Sequence, residues 1–121
     1  MGESVRVARE VRGAIVILRV EETQILADRA ETFRLQLLNA IPAEHARVAM
    51  DLAKVDFFDS SGIGVLVSIV KAVRPEGDLV LFAVRPSVRE ILRLTHLDSI
   101  FPCAGDEAAA LAALGTAAHR S

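Results

Sequence analysis

The sequence has a single cysteine, no tryptophan, no tyrosine and almost no excess of charge of either sign. One cysteine cannot form an intramolecular disulfide or a Cys-x-x-Cys metal site, so we expect a reducing compartment. Because 14 basic and 16 acidic side chains give a net charge of −2, the chain lacks the basic field by which proteins grip nucleic acid. Its longest apolar runs, 14–18 and 63–70, are too short to span a bilayer.

What remains is a chain of 121 residues that is 52% hydrophobic and 25% charged. That length suits one domain, because two independent cores would each be near the lower limit for folding alone. We therefore expect a single domain over residues 1–121, with a mostly aliphatic core, since the only aromatic residues are five phenylalanines. The first residues show no basic segment followed by an apolar one, so we expect no signal peptide and a cytoplasmic protein.

The first half of the chain is typical of a hairpin, a helix and a strand. Residues 5–8 alternate as in an edge strand, and Arg12-Gly13 predicts a turn into the apolar strand 14–18. Apolar residues then recur at helical spacing over 26–41, and the proline directly after them should end that helix. Alternation returns at 48–52, which predicts a third strand.

The second half begins with a polar loop, 54–60, and continues as a long apolar segment, 63–73. We assign that segment as a helix because it is too long for a typical strand, and so apolar a helix must be largely buried. A turn at 75–78 then leads into an apolar strand over 79–84.

Two further helices are predicted near the end. Ser87 and Glu90 have the spacing of a capping box at the start of a short amphipathic helix. Asp106 is placed to cap a last helix, with Gly115 as its end. The order β-β-α-β-α-β-α-α favours an α/β fold in which a mixed sheet of four to five strands is covered by about four helices.

The loop before the apolar helix has the most candidate chemistry. It joins the carboxyl end of a strand to the amino end of a helix, where open α/β sheets build their sites. Its plainest role is capping: Asp59 or one of the two serines after it would accept a hydrogen bond from a free helix amide, and Gly62 would ease the turn.

Four chemical roles compete with capping. A phosphate-binding loop is disfavoured, because the P-loop glycines and lysine are absent and Asp56 and Asp59 would repel a nucleotide. A catalytic serine would need a base, and no histidine is near in the sequence. The two aspartates could form an acid–base pair, although both look exposed. In the fourth role, a phosphorylated serine would meet the positive end of the helix and disturb a docked partner.

The string Asp59-Ser60-Ser61-Gly62-Ile63-Gly64, after a strand and Val55-Asp56-Phe57-Phe58, resembles the signature of the STAS domain, in particular of stand-alone bacterial anti-sigma factor antagonists. Other similarities run along nearly the whole chain. They are the opening hairpin, Ala30-Glu31-Thr32, Gly77 before the fourth strand, the P-x-V-[KR]-x-x-[LF] pattern at 86–92, and Leu97 with Ile100-Phe101.

The resemblance implies a partner switch in a domain that is not itself an enzyme. It places the phosphorylation site at Ser61, the serine directly before the first glycine of the motif. The unphosphorylated form would bind an anti-sigma factor that is also a serine kinase, which frees the sigma factor. Phosphorylation would weaken that complex, and a PP2C-type phosphatase would restore the active form. ATP and Mg²⁺ would belong to the kinase, so this chain would hold no cofactor.

The implied docking surface is the loop with the exposed start of the helix that it opens. Its residues are Asp56, Asp59, Ser60, Ser61, Gly62, Ile63 and Gly64. No metal is expected there or elsewhere, because His45, His96 and His119 are far apart and lack metal-ligand spacing.

One stretch departs from the family pattern. The family commonly ends its second strand in G-x-[LI]-D, whose aspartate lies near the phosphorylatable serine, whereas this chain has Thr23-Gln24-Ile25-Leu26 there. Asp28, two positions on, is the acid that would substitute. The departure keeps open an alternative function, a constitutive interaction or scaffold subunit of a lipid ABC transporter or of a stress-signalling complex.

Overall fold

The computed structural model describes residues 5–41, 47–74 and 78–118. Seven strands and four helices follow one another in these segments. In chain order they are β1 (Val7–Arg12), β2 (Ile15–Val20), β3 (Gln24–Ile25), α1 (Ala27–Ala40), β4 (Arg47–Asp51), β5 (Phe57–Phe58), α2 (Ser60–Val73), β6 (Asp78–Phe82), α3 (Pro86–Leu94), β7 (Cys103–Ala104) and α4 (Glu107–Ala118).

Five of the strands form one sheet in the order β1-β2-β4-β6-β7. β1 and β2 are an antiparallel hairpin whose turn contains Gly13 at φ +61°, a left-handed conformation that glycine adopts without strain. The other neighbours pair in parallel: β2 with β4, β4 with β6, and β6 with β7. The expected hairpin and the expected mixed sheet are confirmed.

The two faces of the sheet carry cores of different size. On one face α1, α2 and α3 bury the larger core, to which they contribute Phe33, Leu66 and Leu92 respectively. On the other face α4 buries Ala110 and Leu114 against β2, β4 and β6. Because both faces are covered, the central strands are continuous apolar runs. The α/β fold with four covering helices is therefore confirmed.

The long apolar segment is helical, as its length indicated. Half of the fourteen residues of α2 are buried: Gly62, Ile63, Val65, Leu66, Ile69, Val70 and Val73. Many of them are β-branched, which lowers intrinsic helix propensity. Burial against the sheet, more than propensity, therefore keeps this segment helical.

The capping box expected at Ser87 does not form. Pro86 is the first residue of α3, so Arg85 occupies the cap position with an extended backbone, and Ser87 lies inside the first turn. The Ser87 hydroxyl donates instead to the main-chain oxygen of Asp56, at 2.8 Å. Pro86 decides this outcome, because its fixed φ and missing N–H suit the first helical position.

The last helix begins as expected but does not end as expected. The Oδ1 atom of Asp106 accepts a hydrogen bond from the N–H of Ala109 at 2.9 Å, which confirms the cap. The helix end expected at Gly115 is wrong, because α4 continues beyond that residue. A glycine inside a helix costs only about 1 kcal/mol, which the docking of Ala110 and Leu114 offsets.

The remaining differences lie in short or peripheral segments. β3, β5 and β7 were not predicted, since two residues are too few to show a strand period, and β5 lies in the segment expected to be a loop. The ending role of Pro42, the turn residues 75–77, His45 and His119 lie outside the described residues. Within the described ranges, no helix is long and apolar enough to cross a membrane.

An ion-pair network lies beside α4, on the face of the smaller core. The Arg19 guanidinium donates to Glu107 at 2.9 Å and to Asp51 at 3.1 Å. It also donates to Glu10 at 2.6 Å. These hydrogen bonds, those to Glu107 and Glu10 most of all, raise the pKa of Arg19 above its usual range. One arginine of β2 thereby joins β1, β4 and the first turn of α4 through charge-assisted hydrogen bonds.

We expect Arg19→Met to loosen α4 without unfolding the sheet. Methionine keeps an apolar stem but removes all three hydrogen bonds, so the ion pair of Glu107 with Arg12, at 3.2 Å, is left as the charged link between the first turn of α4 and the strands. Hydrogen exchange followed by mass spectrometry should show faster exchange of the α4 amides than in the wild type. Arg34→Met is the matched control, because the pair of Arg34 with Glu31 lies within α1. Equal protection of α4 in the two variants would contradict the expectation.

Candidate functional site

The loop between β4 and α2 is held against β3 by main-chain hydrogen bonds. The N–H groups of Asp56 and Phe57 donate to the main-chain oxygen of Thr23, at 2.7 and 3.3 Å. The N–H of Asp59 donates to the main-chain oxygen of Ile25 at 3.2 Å. β3 and β5 pair in parallel. The loop therefore has a fixed main-chain course up to the first residue of α2.

Asp59 caps α2, and its carboxylate also binds the start of α1. Oδ1 accepts a hydrogen bond from the N–H of Gly62 at 2.9 Å, and Oδ2 accepts one from the N–H of Ala27 at 2.8 Å. Ala27 is the first residue of α1, whose own cap residue, Leu26, has no side-chain acceptor. One carboxylate thus meets the positive ends of two helices. The expected capping role is confirmed for Asp59, but its side chain is half-buried, so the expectation of an exposed Asp59 was wrong.

Gly62 lies where α2 passes close to β3. A Cβ built on Gly62 would come within 2.6 Å of the main-chain oxygen of Ile25, a contact that side chains do not tolerate. A Cβ on Gly64 would meet open space. The expectation that Gly62 eases a turn was wrong, because Gly62 is helical and close packing is what requires it.

Ser60 and Ser61 are the first two residues of α2, and both are exposed. Their hydroxyl groups make no hydrogen bond to any residue that the structure describes. Gly64, one turn after Ser61, is also exposed, whereas Gly62 and Ile63 are buried. The structure therefore brings the motif residues together. The solvent-exposed surface of the motif is formed by the two serines and Gly64, and the Ile63 side chain lies beneath it in the core.

Asp56 is exposed and is held by residues at the start of α3. Arg85 donates through Nη1 to Oδ1 of Asp56 at 3.0 Å, and through Nε to the main-chain oxygen of Ala53 at 2.7 Å. Ser87 donates to the main-chain oxygen of Asp56, as noted above. Asp56 and Asp59 therefore have different partners, a guanidinium and two helix amides. This arrangement disfavours an acid–base pair.

A groove of about 320 Å³ opens beside the loop. Its lining is polar and carries charges of both signs, from Arg6, Glu21, Glu22, Thr23, Lys54, Asp56 and Arg85. The N–H of Arg6 donates to Glu22, and this bond, followed by the charges of Arg29 and Arg6, lowers the pKa of the Glu22 carboxyl. Nowhere in the described ranges do three or more potential metal ligands cluster.

The stretch that departs from the family pattern is β3 and the residue after it. Leu26 stands where the family aspartate was expected, at the cap position of α1, and Asp59 binds the neighbouring amide of Ala27. The Asp28 side chain is exposed in the first turn of α1.

Two residues of this site were not identified from the sequence. Arg85 and Ser87 contact Asp56 although they are 29 and 31 positions away, and no local motif links them. The Arg85-Pro86 step indicates only that Arg85 is extended.

Phe57 adds exposed apolar surface, with 43% of the residue accessible beside the buried Phe58. The only indication of this in the sequence was that neighbouring residues of a strand, here Phe57 and Phe58, point to opposite faces.

Comparison with known proteins identifies relatives for both the sequence and the fold. The family model described as the STAS domain matches residues 6–110. A protein of Bordetella bronchiseptica named as an anti-sigma factor antagonist, BtrV, is 36% identical over 92 residues, which cover 75% of this chain and 79% of that protein.

Solved structures show the same fold. An anti-sigma-factor antagonist (STAS) domain protein from Planctomyces limnophilus has a TM-score of 0.80 at 27% identity, covering 94% of this chain and 99% of its own. The anti-sigma factor antagonist SpoIIAA, solved in its unphosphorylated form, has a TM-score of 0.70 at 20% identity, covering 91% of this chain and 97% of its own. The second likeness shows the fold alone.

The two glycines of the motif should respond in opposite directions to alanine. Gly62→Ala forces a Cβ against the Ile25 carbonyl, and we expect it to lower the free energy of unfolding by about 1–3 kcal/mol. Gly64→Ala adds a methyl group in open space on a helix, and we expect a gain of about 0.5–1 kcal/mol. Urea unfolding of the two variants measures both. A loss of stability in Gly64→Ala as large as that in Gly62→Ala would contradict this account.

Removing the shared cap should cost more than removing the neighbouring acid. Asp59→Ala leaves amides at two helix starts without their acceptor, and we expect a loss of about 1–2 kcal/mol per cap. Asp59→Asn keeps one oxygen acceptor and should fall between wild type and Asp59→Ala. Asp56→Ala, which removes an exposed ion pair, should cost about 0–1 kcal/mol. Equal losses for Asp56→Ala and Asp59→Ala in urea unfolding would overturn the double cap.

Proposed function

This chain belongs to the STAS domain family, and on that premise we propose that it is an anti-sigma factor antagonist that works by partner switching. Its relatives carry the name of anti-sigma factor antagonists. In the proposed cycle the unphosphorylated form binds an anti-sigma factor serine kinase and releases the sigma factor. Phosphorylation of Ser61 abolishes that binding.

The observation that carries this proposal is the position of Ser61. Its hydroxyl is exposed on the first turn of α2, without a hydrogen-bond partner in the described residues, and the main chain around it is fixed by the Asp59 cap. A kinase can therefore reach the hydroxyl without unfolding the site. Exposed Phe57 and the bare helix surface at Gly64 provide apolar contact for a docked protein next to it.

The chemical step belongs to the partner. The kinase would hold ATP and Mg²⁺, and the Ser61 Oγ would attack the γ-phosphorus of that ATP. The hydroxyl proton would pass to a base of the kinase, and ADP would leave. A PP2C-type phosphatase would then hydrolyse the phosphoserine to serine and inorganic phosphate. On this proposal the chain is a binding module and not an enzyme, and it needs no cofactor, metal, nucleic acid or membrane span of its own.

The charge change explains why phosphorylation would break the complex and leave the fold intact. A phosphate adds about −1.5 to −2 charges, so it would take the net charge from −2 to about −4. At the start of α2 the helix dipole favours that charge. A partner docked over Ser61 would have to desolvate the dianion, and that cost falls on the complex alone. We expect the switch to operate in the cytoplasm.

We expect Ser61→Ala to bind the kinase as wild type does and Ser61→Asp to bind at least about tenfold more weakly, which corresponds to 1.4 kcal/mol of repulsion and desolvation. With ATP and the cognate kinase, wild type should gain the mass of one phosphoryl group. Calorimetry measures the affinities, and intact-mass spectrometry measures the modification.

Ser60→Ala is the matched control, because it removes an exposed hydroxyl one residue earlier. Ser60→Ala should still gain one phosphoryl group, whereas Ser61→Ala should gain none. Labelling of Ser61→Ala would refute the assignment of the site. Tight binding to a transporter ATPase that is insensitive to every Ser61 variant would favour the constitutive scaffold function.

A further inference from the structure

The loop that leads to Ser61 is clamped from outside by the amino end of α3. We call the three hydrogen bonds from Arg85 and Ser87 to Ala53 and Asp56 the α3 clamp; they are 2.7, 3.0 and 2.8 Å long. The main-chain oxygen of Thr23, next to β3, also accepts hydrogen bonds from this loop. The α3 clamp and β3 therefore fix the segment that ends five residues before Ser61.

The platform behind the α3 clamp is rigid. Val88 and Leu92 of α3 are buried in the larger core. Pro86, the first residue of α3, restricts Arg85 to an extended backbone, observed at φ −70° and ψ 153°. The Arg85 guanidinium thus leaves a helix that cannot shift without disturbing the core. This makes α3 a fixed reference for the loop.

The α3 clamp contributes little to global stability. About half of each side chain in the Arg85–Asp56 pair is exposed, 50% and 53% respectively. Exposed ion pairs of this kind have small effects on unfolding. Two of the three bonds, however, end on main-chain oxygens, so they restrain the course of the loop itself. Their main effect is on loop geometry.

We propose that Arg85 is a positioning residue for partner recognition: through the α3 clamp it holds the loop between β4 and α2, which leads to Ser61, in the conformation that the partner kinase binds. The proposal rests on the proposed function, since it concerns the same docking surface. A loop that is already ordered loses less conformational freedom on binding, so the complex forms with higher affinity. Arg85 acts through Ala53 and Asp56 and does not itself touch the kinase.

The first test needs no partner. Arg85→Met should speed hydrogen exchange of the hydrogen-bonded amides of residues 55–57 in the free protein, while the β2 and β4 amides keep wild-type protection. Arg93→Met is the matched control, because it removes an arginine of the same helix that pairs with Glu90. Unchanged exchange of the loop in Arg85→Met would overturn the proposal, whether or not the kinase binds.

The second test measures recognition. We expect Arg85→Met to weaken kinase binding about five- to thirty-fold, with the effect on phosphorylation in KM and little change in kcat. Arg85→Lys, which can keep one of the two arginine contacts, should restore part of the affinity. Arg93→Met should bind as wild type does. A looser loop with wild-type affinity, or an effect confined to kcat, would overturn the proposal.

A double-mutant cycle with Asp56→Ala separates positioning from direct contact. If Arg85 acts through Asp56, Arg85→Met should cost less in the Asp56→Ala background than in the wild type. If Arg85 touches the kinase directly, its loss should cost the same in both, and the proposal fails. Absence of binding by wild type would refute the proposed function, and the exchange experiment would still decide whether Arg85 holds the loop.

Discussion

The site depends on one carboxylate, that of Asp59, which accepts hydrogen bonds from the first turns of two helices. Helix starts carry partial positive charge and would repel each other if both were uncapped. The shared carboxylate lets α1 and α2 begin side by side. Gly62 completes the arrangement, because its missing Cβ allows α2 to approach the Ile25 carbonyl. Ser61 is exposed because the buried residues Gly62 and Ile63 take the inner side of this turn.

This arrangement also determines what a phosphate on Ser61 would do. Asp59 already satisfies the Gly62 amide, whereas the N–H groups of Ser60 and Ser61 have no partner among the described residues. They are the donors that a phosphate would find at this helix start. Asp59 places a negative charge nearby, so the phosphate gains only part of the field of the helix. A modification that is tolerated but not needed by the fold acts chiefly on whatever docks over it.

Local signals predicted most of the fold, and long-range contacts account for most of what they missed. The hairpin followed from strand alternation and a turn signal, and the apolar helix followed from its length. For the cap of α2, the sequence left Asp59, Ser60 and Ser61 open, and the structure selects Asp59. The same carboxylate also binds the amide of Ala27, 32 positions away, and no local pattern in either segment predicts this contact. At Ser87 the local signal misled, because Pro86 took the first helical position and moved the cap to Arg85. Gly115 misled for another reason: tertiary packing outweighs one unfavourable residue.

The division between buried and exposed motif residues has a consequence for partner choice. Gly62 and Ile63 are confined by the core, so substitutions there change the fold before they change recognition. Phe57, Ser60 and Gly64 are exposed and can vary without a large loss of stability. In this chain the buried residues of the signature string therefore maintain the geometry of the turn. On the proposed function, discrimination among partners would come from the exposed residues around that turn.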